Sequence, residues 1–524
     1  MLALGLGVAA VAPAGALERV RGVVHVHSDL TTGDFTLEGL VGLADQQGIG
    51  VLLLAENYHL RVDYGLPPFR ALTRMSRHEP SVGDALEGYF ARVAEVRRRL
   101  PHVLLIPGVE VMPHYHWTGS AAALDLTVHN LQKNVLVFGL TDPAALAALP
   151  VAGRPPAGHY TAQSLIDALP VLLLVPGVAL LLRRRPVRRR LGRGAVIVVR
   201  RRAWARGGLL CVVGAAALVR GWPFTTDPYP TSSDPGIAPY QAVIDHVERL
   251  GGAAVWSFPE ARDIGEQQYG PVRVGWLTEP YPDDLLKTFR YTAFGAVYED
   301  TSTFERPGGG WDRLLAEYVR GERTRPAWGL AESGFHNLTA GKQVGPLQTV
   351  FLVEERSEAG VLDALRRGRM YAVQRTREVG FDLAHFAVSA GARSVSPAPT
   401  VVPPALTANC VRSKPSSRVR CTAYIRPRRS ASSTPASERC STRNTVCSGP
   451  TCLPAVRPWK PDSAIAHDVR VVVVVNGQAA AAEKGATPFR TVYRATTDGT
   501  PLVLRLEARG FQQRLVSNPV FVRP

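Results

Sequence analysis

Arg21-Gly-Val-Val-His-Val-His-Ser-Asp29 places two histidines, His25 and His27, one residue apart at the end of an apolar run. If residues 22–27 form a strand, the two-residue side-chain period turns both imidazoles to one face. Imidazole binds borderline transition metals, so such a pair supplies half of a metal site. A lone His-x-His is also what two ordinary strand histidines look like. The reading therefore depends on what later strands bring to the same place.

From Arg19 onward the chain alternates strand-like and helix-like segments. Strand patterns fall at residues 22–27, 51–56, 103–111, 135–140, 253–258, 294–298 and 327–332. Helical patterns fall at 36–47, 83–100, 240–250 and 311–319, the first with Thr36 as a cap and leucines at 37, 40 and 43. Apolar strands alternating with helices predict an α/β fold with a parallel sheet, and seven such units predict closure into a barrel. His25, His27, Glu56 and Glu110 each stand at the C-terminal end of a predicted strand. In βα barrels that rim carries the active site. Three successive strands delivering ligand-type side chains to one rim favour a metal site over simple packing.

The 524 residues allow two or three domains. The net charge of +17 suggests a nucleic-acid binder, but eleven arginines crowd into residues 183–206 and many others lie near 412–457. Neither group alternates with aromatic residues, so no nucleic-acid partner is expected. Residues 1–18 resemble a signal peptide lacking its basic start, or the tail of a membrane anchor, and export is the expectation. Residues 19–164 and 223–393 read as two barrel halves. Between them, residues 165–222 hold two apolar stretches around the arginine cluster, which predicts a transmembrane hairpin with a cytoplasmic loop. The barrel is then membrane-associated and extracytoplasmic. Residues 394–465 are rich in Ser, Arg, Pro, Thr and Cys, show no evident period, and are expected to be a displaced reading frame or a disordered linker. Five of the six cysteines lie there without a CxxC pair, which argues against structural zinc. Strand patterns resume at 469–476 and 502–506, and residues 466–524 read as a small β-rich segment.

His25-Val-His27-Ser-Asp29, Ala55-Glu56-Asn57, Gly108-Val-Glu110 and Gly334-Phe-His336, in that order, resemble the motifs of the PHP (polymerase and histidinol phosphatase) family. The resemblance covers about residues 20–165 and 225–345, and Ser517-Asn-Pro-Val-Phe-Val-Arg523 resembles the close of the β-domain in bacterial relatives. It implies a distorted seven-stranded (β/α) barrel and metal-dependent phosphoester hydrolysis. It also implies metal ligation by His25, His27, Glu56, Glu110 and His336; these five could hold one or two divalent ions, and a thiol-free set of histidines and carboxylates suits Zn, Mn or Fe. A phosphorylated small molecule or other phosphoester is the implied substrate. His114 and His116, just past Glu110, are the candidate catalytic residues, and Glu332 could replace a missing aspartate. Arg61 and Lys133 are candidate phosphate clamps. Asn57, Asn134, Phe258 and Gly334 stand where the family offers ligands. That departure leaves open a catalytically inactive binding or scaffold module. An amidohydrolase-like barrel is disfavoured, because residues 253–335 contain no histidine.

Overall fold

The structure is a computed structural model. It describes residues 17–192, 195–300, 302–339, 342–376, 379–390, 393–395, 410–412, 418–429 and 467–523. The leader-like residues 1–16 and most of the predicted low-complexity segment lie outside them.

Strand β1 (Glu18–Val26) leads to helix α1 (Leu37–Gln46), where the Thr36 hydroxyl accepts from the Gly39 amide as the sequence predicts. β2 (Val51–Leu54) and β3 (Glu56–Asn57) follow, then an excursion of β4 (Arg61–Tyr64), α2 (Arg70–Thr73) and β5 (Met75–His78). Helix α3 (Leu86–Arg99) returns the chain to β6 (Leu104–Ile106) and β7 (Gly108–Val111). Pro107 has no N–H to offer a ladder, and there the predicted strand over 103–111 breaks in two. A second excursion, the hairpin of β8 (His116–Ser120) and β9 (Asp125–His129), precedes β10 (Val135–Phe138).

After α4 (Pro143–Ala147) come two long apolar helical runs. The first joins α5 (Ala162–Ala168) through a 3-10 turn to α6 (Leu174–Leu182); the second is α7 (Trp204–Gly221). A hairpin of β11 (Arg184–Leu191) and β12 (Ala195–Arg202) connects them. The first run is 21 residues long, longer than the sequence suggests because it begins at Ala162 and includes Asp167. The helices approach closely at glycines: a Cβ at Gly177 would lie 2.7 Å from the Cys211 sulfur, and one at Gly207 would lie 2.9 Å from the Gly177 carbonyl. Only 11% and 17% of the two apolar windows are buried.

The chain continues through α8 (Ala238–Arg249), β13 (Ala253–Trp256), the hairpin of β14 (Asp263–Tyr269) and β15 (Val272–Thr278), α9 (Pro282–Lys287), β16 (Ala293–Val297), α10 (Gly310–Val319) and β17 (Trp328–Ala331). One six-stranded sheet runs β17-β16-β13-β10-β7-β3. β2, β10, β13, β16 and β17 are buried at every residue, as expected where both faces of a sheet are covered. The prediction of an all-parallel sheet fails at β10, which runs antiparallel to both β7 and β13. The β8–β9 excursion turns the chain around, so β10 starts at the rim where β7 ends. β6, β2 and β1 belong to a second sheet, and the two sheets do not form one continuous closed ladder. Hydrogen bonds beyond the strand ends link them: Ala55 N to Val26 O at 2.9 Å on one side, and on the other Ser333 N to Val24 O at 3.0 Å, Phe335 N to His25 O at 3.1 Å and His27 N to Phe335 O at 2.9 Å.

β18 (Leu347–Val353) pairs antiparallel with β1, and after α11 (Glu358–Arg367), β19 (Met370–Gln374) extends that sheet. The remaining strands are β20 (Val379–Ala390), β21 (Arg393–Val395), β22 (Cys410–Arg412), β23 (Arg418–Arg429), β24 (Asp468–Val475), β25 (Gln478–Ala486), β26 (Phe489–Thr496), β27 (Leu502–Gly510), β28 (Gln513–Ser517) and β29 (Val520–Arg523). β28 pairs with β19, so the C-terminal strands prolong the sheet that begins at β1. β23 pairs with β20 and β26 in a second layer. In β23, buried Val419, Cys421, Ala423 and Ile425 alternate with more exposed residues. A period of two is thus present where the sequence reading found none. The expectation of a displaced reading frame or a disordered linker over 394–465 falls mostly outside the described residues.

Candidate metal centre

β1 does not end as a regular strand. Its register against β2 shifts between Val24 and Val26, and His25 has a φ of 71°. Such a bulge re-aims side chains, and a left-handed non-glycine residue costs about 1–3 kcal/mol unless its surroundings hold it. The result brings His25 Nε2 within 3.0 Å of His27 Nε2. From β7, Glu110 places one carboxylate oxygen 3.3 Å from His25 Nε2 and the other 3.4 Å from His27 Nε2. Among the described residues, His25, His27 and Glu110 are the group of three donors converging within 4.8 Å. Convergence of the histidine pair, expected from strand period alone, here involves a bulge.

Buried partners fix two of the three donors. His25 Nδ1 lies 2.7 Å from the fully buried Glu332 carboxylate. Glu332 also accepts from the Ser257 hydroxyl and from the Phe258 amide at 3.0 Å. Asn134 donates its side-chain amide to Glu110 at 2.8 Å. Burial alone would depress the His25 imidazole, but Glu110 and then Glu332 outweigh it and hold it up at about 10. Burial pushes His27 well below the ordinary range, and the charge of His25 adds to that against the pull of Glu110. Burial would raise the Glu110 carboxyl, yet His25 foremost holds it down at about 2. His27 Nδ1 is buried without a hydrogen-bond partner. Two facing imidazole nitrogens closed by a carboxylate suit one divalent ion with an open position.

The other two predicted ligands, Glu56 and His336, are not among the three converging donors. Both oxygens of Glu56 are engaged, one by the Ser28 amide and hydroxyl and the other by the Thr31 hydroxyl. His336 stacks on His27 with ring centres 4.0 Å apart, and its Nδ1 lies 3.0 Å from the Thr32 hydroxyl. Asn57 donates to Thr32 and to the Pro80 carbonyl. The Phe258 ring stacks on His25 at 5.2 Å. Gly334 has a φ of 55°, and a Cβ there would meet the Phe258 ring at 2.8 Å. Glu332 does not replace a ligand in the converging group: it orients His25, and burial at the end of β17 was the missing signal.

His114 and His116 lie on the same rim, on the chain leaving β7, and neither joins the three-donor group. His114 Nε2 and His116 Nδ1 are buried without hydrogen-bond partners. Burial lowers both, His114 to about 4, so these imidazoles are neutral near pH 7. His116 stacks on His129 at 4.6 Å. The two candidate phosphate clamps are already paired, Lys133 with Asp284 and Arg61 with Asp63.

No protein-family model matches this chain, and no curated protein matches it. Among solved structures it is similar to a two-domain protein from Bacteroides vulgatus containing a predicted PHP-like metal-dependent phosphoesterase. That likeness has 10% identity, covers 96% of this chain and 95% of the other, and has a TM-score of 0.35. A Bifidobacterium adolescentis protein named as a putative metal-dependent phosphoesterase shares 14% identity over 61% of this chain and 88% of its own, at a TM-score of 0.26. An amidohydrolase from Chromobacterium violaceum shares 12% over 62% and 89%, at 0.25.

Proposed function

We propose that this chain is a metal-dependent phosphoesterase of the PHP type. In this reading a single divalent centre is held by His25, His27 and Glu110. The observation that carries it is the meeting of two buried imidazole nitrogens at 3.0 Å with one carboxylate facing both. A bound Zn, Mn or Fe ion would supply hydroxide near neutral pH and polarise the phosphoryl oxygen. Glu332 holds the His25 ring through Nδ1, and Asn134 holds the Glu110 carboxylate, so neither ligand has to reorient on binding. In this reading His114 and His116, on the segment that leaves β7, are the candidate catalytic residues. In the net reaction a water oxygen bonds to phosphorus, the ester P–O bond breaks, and the departing alkoxide takes a proton. The protein is anchored by α5–α6 and α7, with the barrel side extracytoplasmic.

The test is elemental analysis of purified protein beside a His25→Ala/His27→Ala variant, followed by hydrolysis of p-nitrophenyl phosphate. The expected result is one tightly bound ion, lost in the variant together with hydrolysis. A folded, metal-free and inactive wild-type protein sinks the proposal. It would favour the inactive-scaffold alternative, which draws on Phe258 and Gly334 filling expected ligand places. Protease protection of the β11–β12 segment on the cytoplasmic side tests the anchor.

A further inference from the structure

The apolar helices and the metal centre share one rim. Ala152, ahead of the first helical run, donates its amide to the Pro113 carbonyl at 3.0 Å. Thr231, beyond the second, accepts from the Trp117 amide at 2.8 Å. His159 and Thr226 pair across the root of the two helices at 3.1 Å, and the Gly153 amide is tied to Asp227 at 2.9 Å. Both feet of the hairpin are therefore bonded to, or placed beside, residues 113–117, which leave β7 just after Glu110.

The excursion between β3 and α3 leans the same way. It opens beside Asn57 and closes where the Val82 amide donates to the Asn57 carbonyl at 2.8 Å. Within it, α2 packs against α7. Its Leu66 and Met75 side chains are exposed, Met75 by 68%, beside exposed Arg74.

Exposed aromatic residues mark both ends of the helices. Tyr160 and Trp222, at 60% and 72% exposure, flank the ends nearest the rim, and Trp204, at 64%, starts α7 at the far end. Aromatic side chains of this kind sit at the headgroup level of bilayers. An 18-residue helix spans about 27 Å, close to the roughly 30 Å hydrocarbon thickness. The mean hydropathy of the first run is 2.4.

We infer that the catalytic rim rests at the headgroup layer and that the substrate is a phosphoester carried on a lipid, presented from the bilayer beside the lip of Leu66, Arg74 and Met75. This rests on the phosphoesterase reading. A phospholipid monoester and a phosphorylated long-chain lipid alcohol share that chemistry. Water would cleave the terminal P–O ester bond, leaving the lipid alcohol in the membrane and releasing inorganic phosphate.

Two measurements test the inference. Full-length protein in phosphatidylcholine vesicles would carry a photoreactive p-benzoylphenylalanine at position 175, inside α6, or at position 75. Lipid adducts at both positions are expected, without any need for metal. Adducts at 175 but not at 75 would overturn the rim placement while leaving the anchor standing; no adducts at either would overturn both. Metal-loaded protein is then given phosphatidic acid in vesicles, glycerol 3-phosphate and p-nitrophenyl phosphate. The expected kcat/KM favours phosphatidic acid over glycerol 3-phosphate by about tenfold or more, because the bilayer concentrates it at the site. Equal or better use of the soluble esters overturns the lipid substrate alone. Inactivity on all three overturns the phosphoesterase reading and this inference with it.

Discussion

The Phe258 ring, stacked on His25, fills the space that a side chain at Gly334 would need. Gly334→Asp puts a Cβ 2.8 Å from the Phe258 ring at a residue whose φ is 55°. The single variant is expected to lose about 1–3 kcal/mol of stability, the usual range for overpacking. Adding Phe258→His, which shortens the ring, should recover part of that loss. Urea unfolding of the four-member cycle measures the coupling, and additive effects would show that the two residues are independent. Glu332 makes a second residue-level prediction. Glu332→Gln removes the charge beside His25 Nδ1 and sets an amide against the Phe258 N–H. Metal affinity measured by calorimetry should fall about 10–100-fold, as for other groups that orient a metal ligand. Unchanged affinity would reduce Glu332 to a packing residue. His25, His27 and Glu110 were legible in the sequence because each stands at or near a strand end. The part played by Glu332 was not, since its partner is 307 residues away and only burial reveals the contact.

Helices were the most legible elements. The periodicity of α1 and its Thr36 cap are local, and the structure reproduces them. Strand direction was less accessible, because whether a strand runs up or down is decided by where the chain goes in between. The β8–β9 hairpin reverses β10 without leaving any mark on the pattern of residues 135–138. β23 was hidden for a different reason, its alternation being obscured by arginine-rich surroundings. The junction between the helices and the rim yields a prediction about pH. Asp227 is half-buried near Asp63, one oxygen accepting from the Gly153 amide. Burial first, then Asp63, raises its carboxyl from 3.8 to about 6, against the opposing pull of the Gly153 amide, His159 and the Arg154 amide. Because the folded value lies above the unfolded one, the charged form weakens the fold above pH 6. The penalty disappears as pH falls through 6 toward 4. Asp227→Asn should therefore stabilise the protein at pH 8 by about 1–3 kcal/mol, with little effect near pH 4. A gain that does not vary with pH would assign the effect to something other than this charge.

At the scale of the molecule, the C-terminal strands are not a separate bead. β1, β18, β19, β28 and β27 follow one another in a single sheet, so the strand that carries His25 and the end of the chain share one hydrogen-bonded layer. Val503, Val516 and Phe521 belong to the same core as the strands that carry His25 and Glu110. A buried ion cluster ties the layers together. Arg505 in β27 makes two 2.8 Å hydrogen bonds to Asp312 in α10 and one of 2.6 Å to Glu507, with the Trp311 ring 5.1 Å from its guanidinium. Nothing in the sequence pairs residues 312 and 505, which explains why residues 466–524 read as an appended segment. Removing one partner of a buried pair leaves a charge without its compensation and commonly costs about 3–5 kcal/mol. Asp312→Ala is expected near the lower end, because Glu507 still faces the guanidinium. Since the sheet is continuous, thermal unfolding should remain one transition that moves to lower temperature, with metal content of the folded protein unchanged. Two transitions, the earlier one alone shifted by the substitution, would mean that the C-terminal strands unfold independently, whatever hydrogen bonds join β19 to β28.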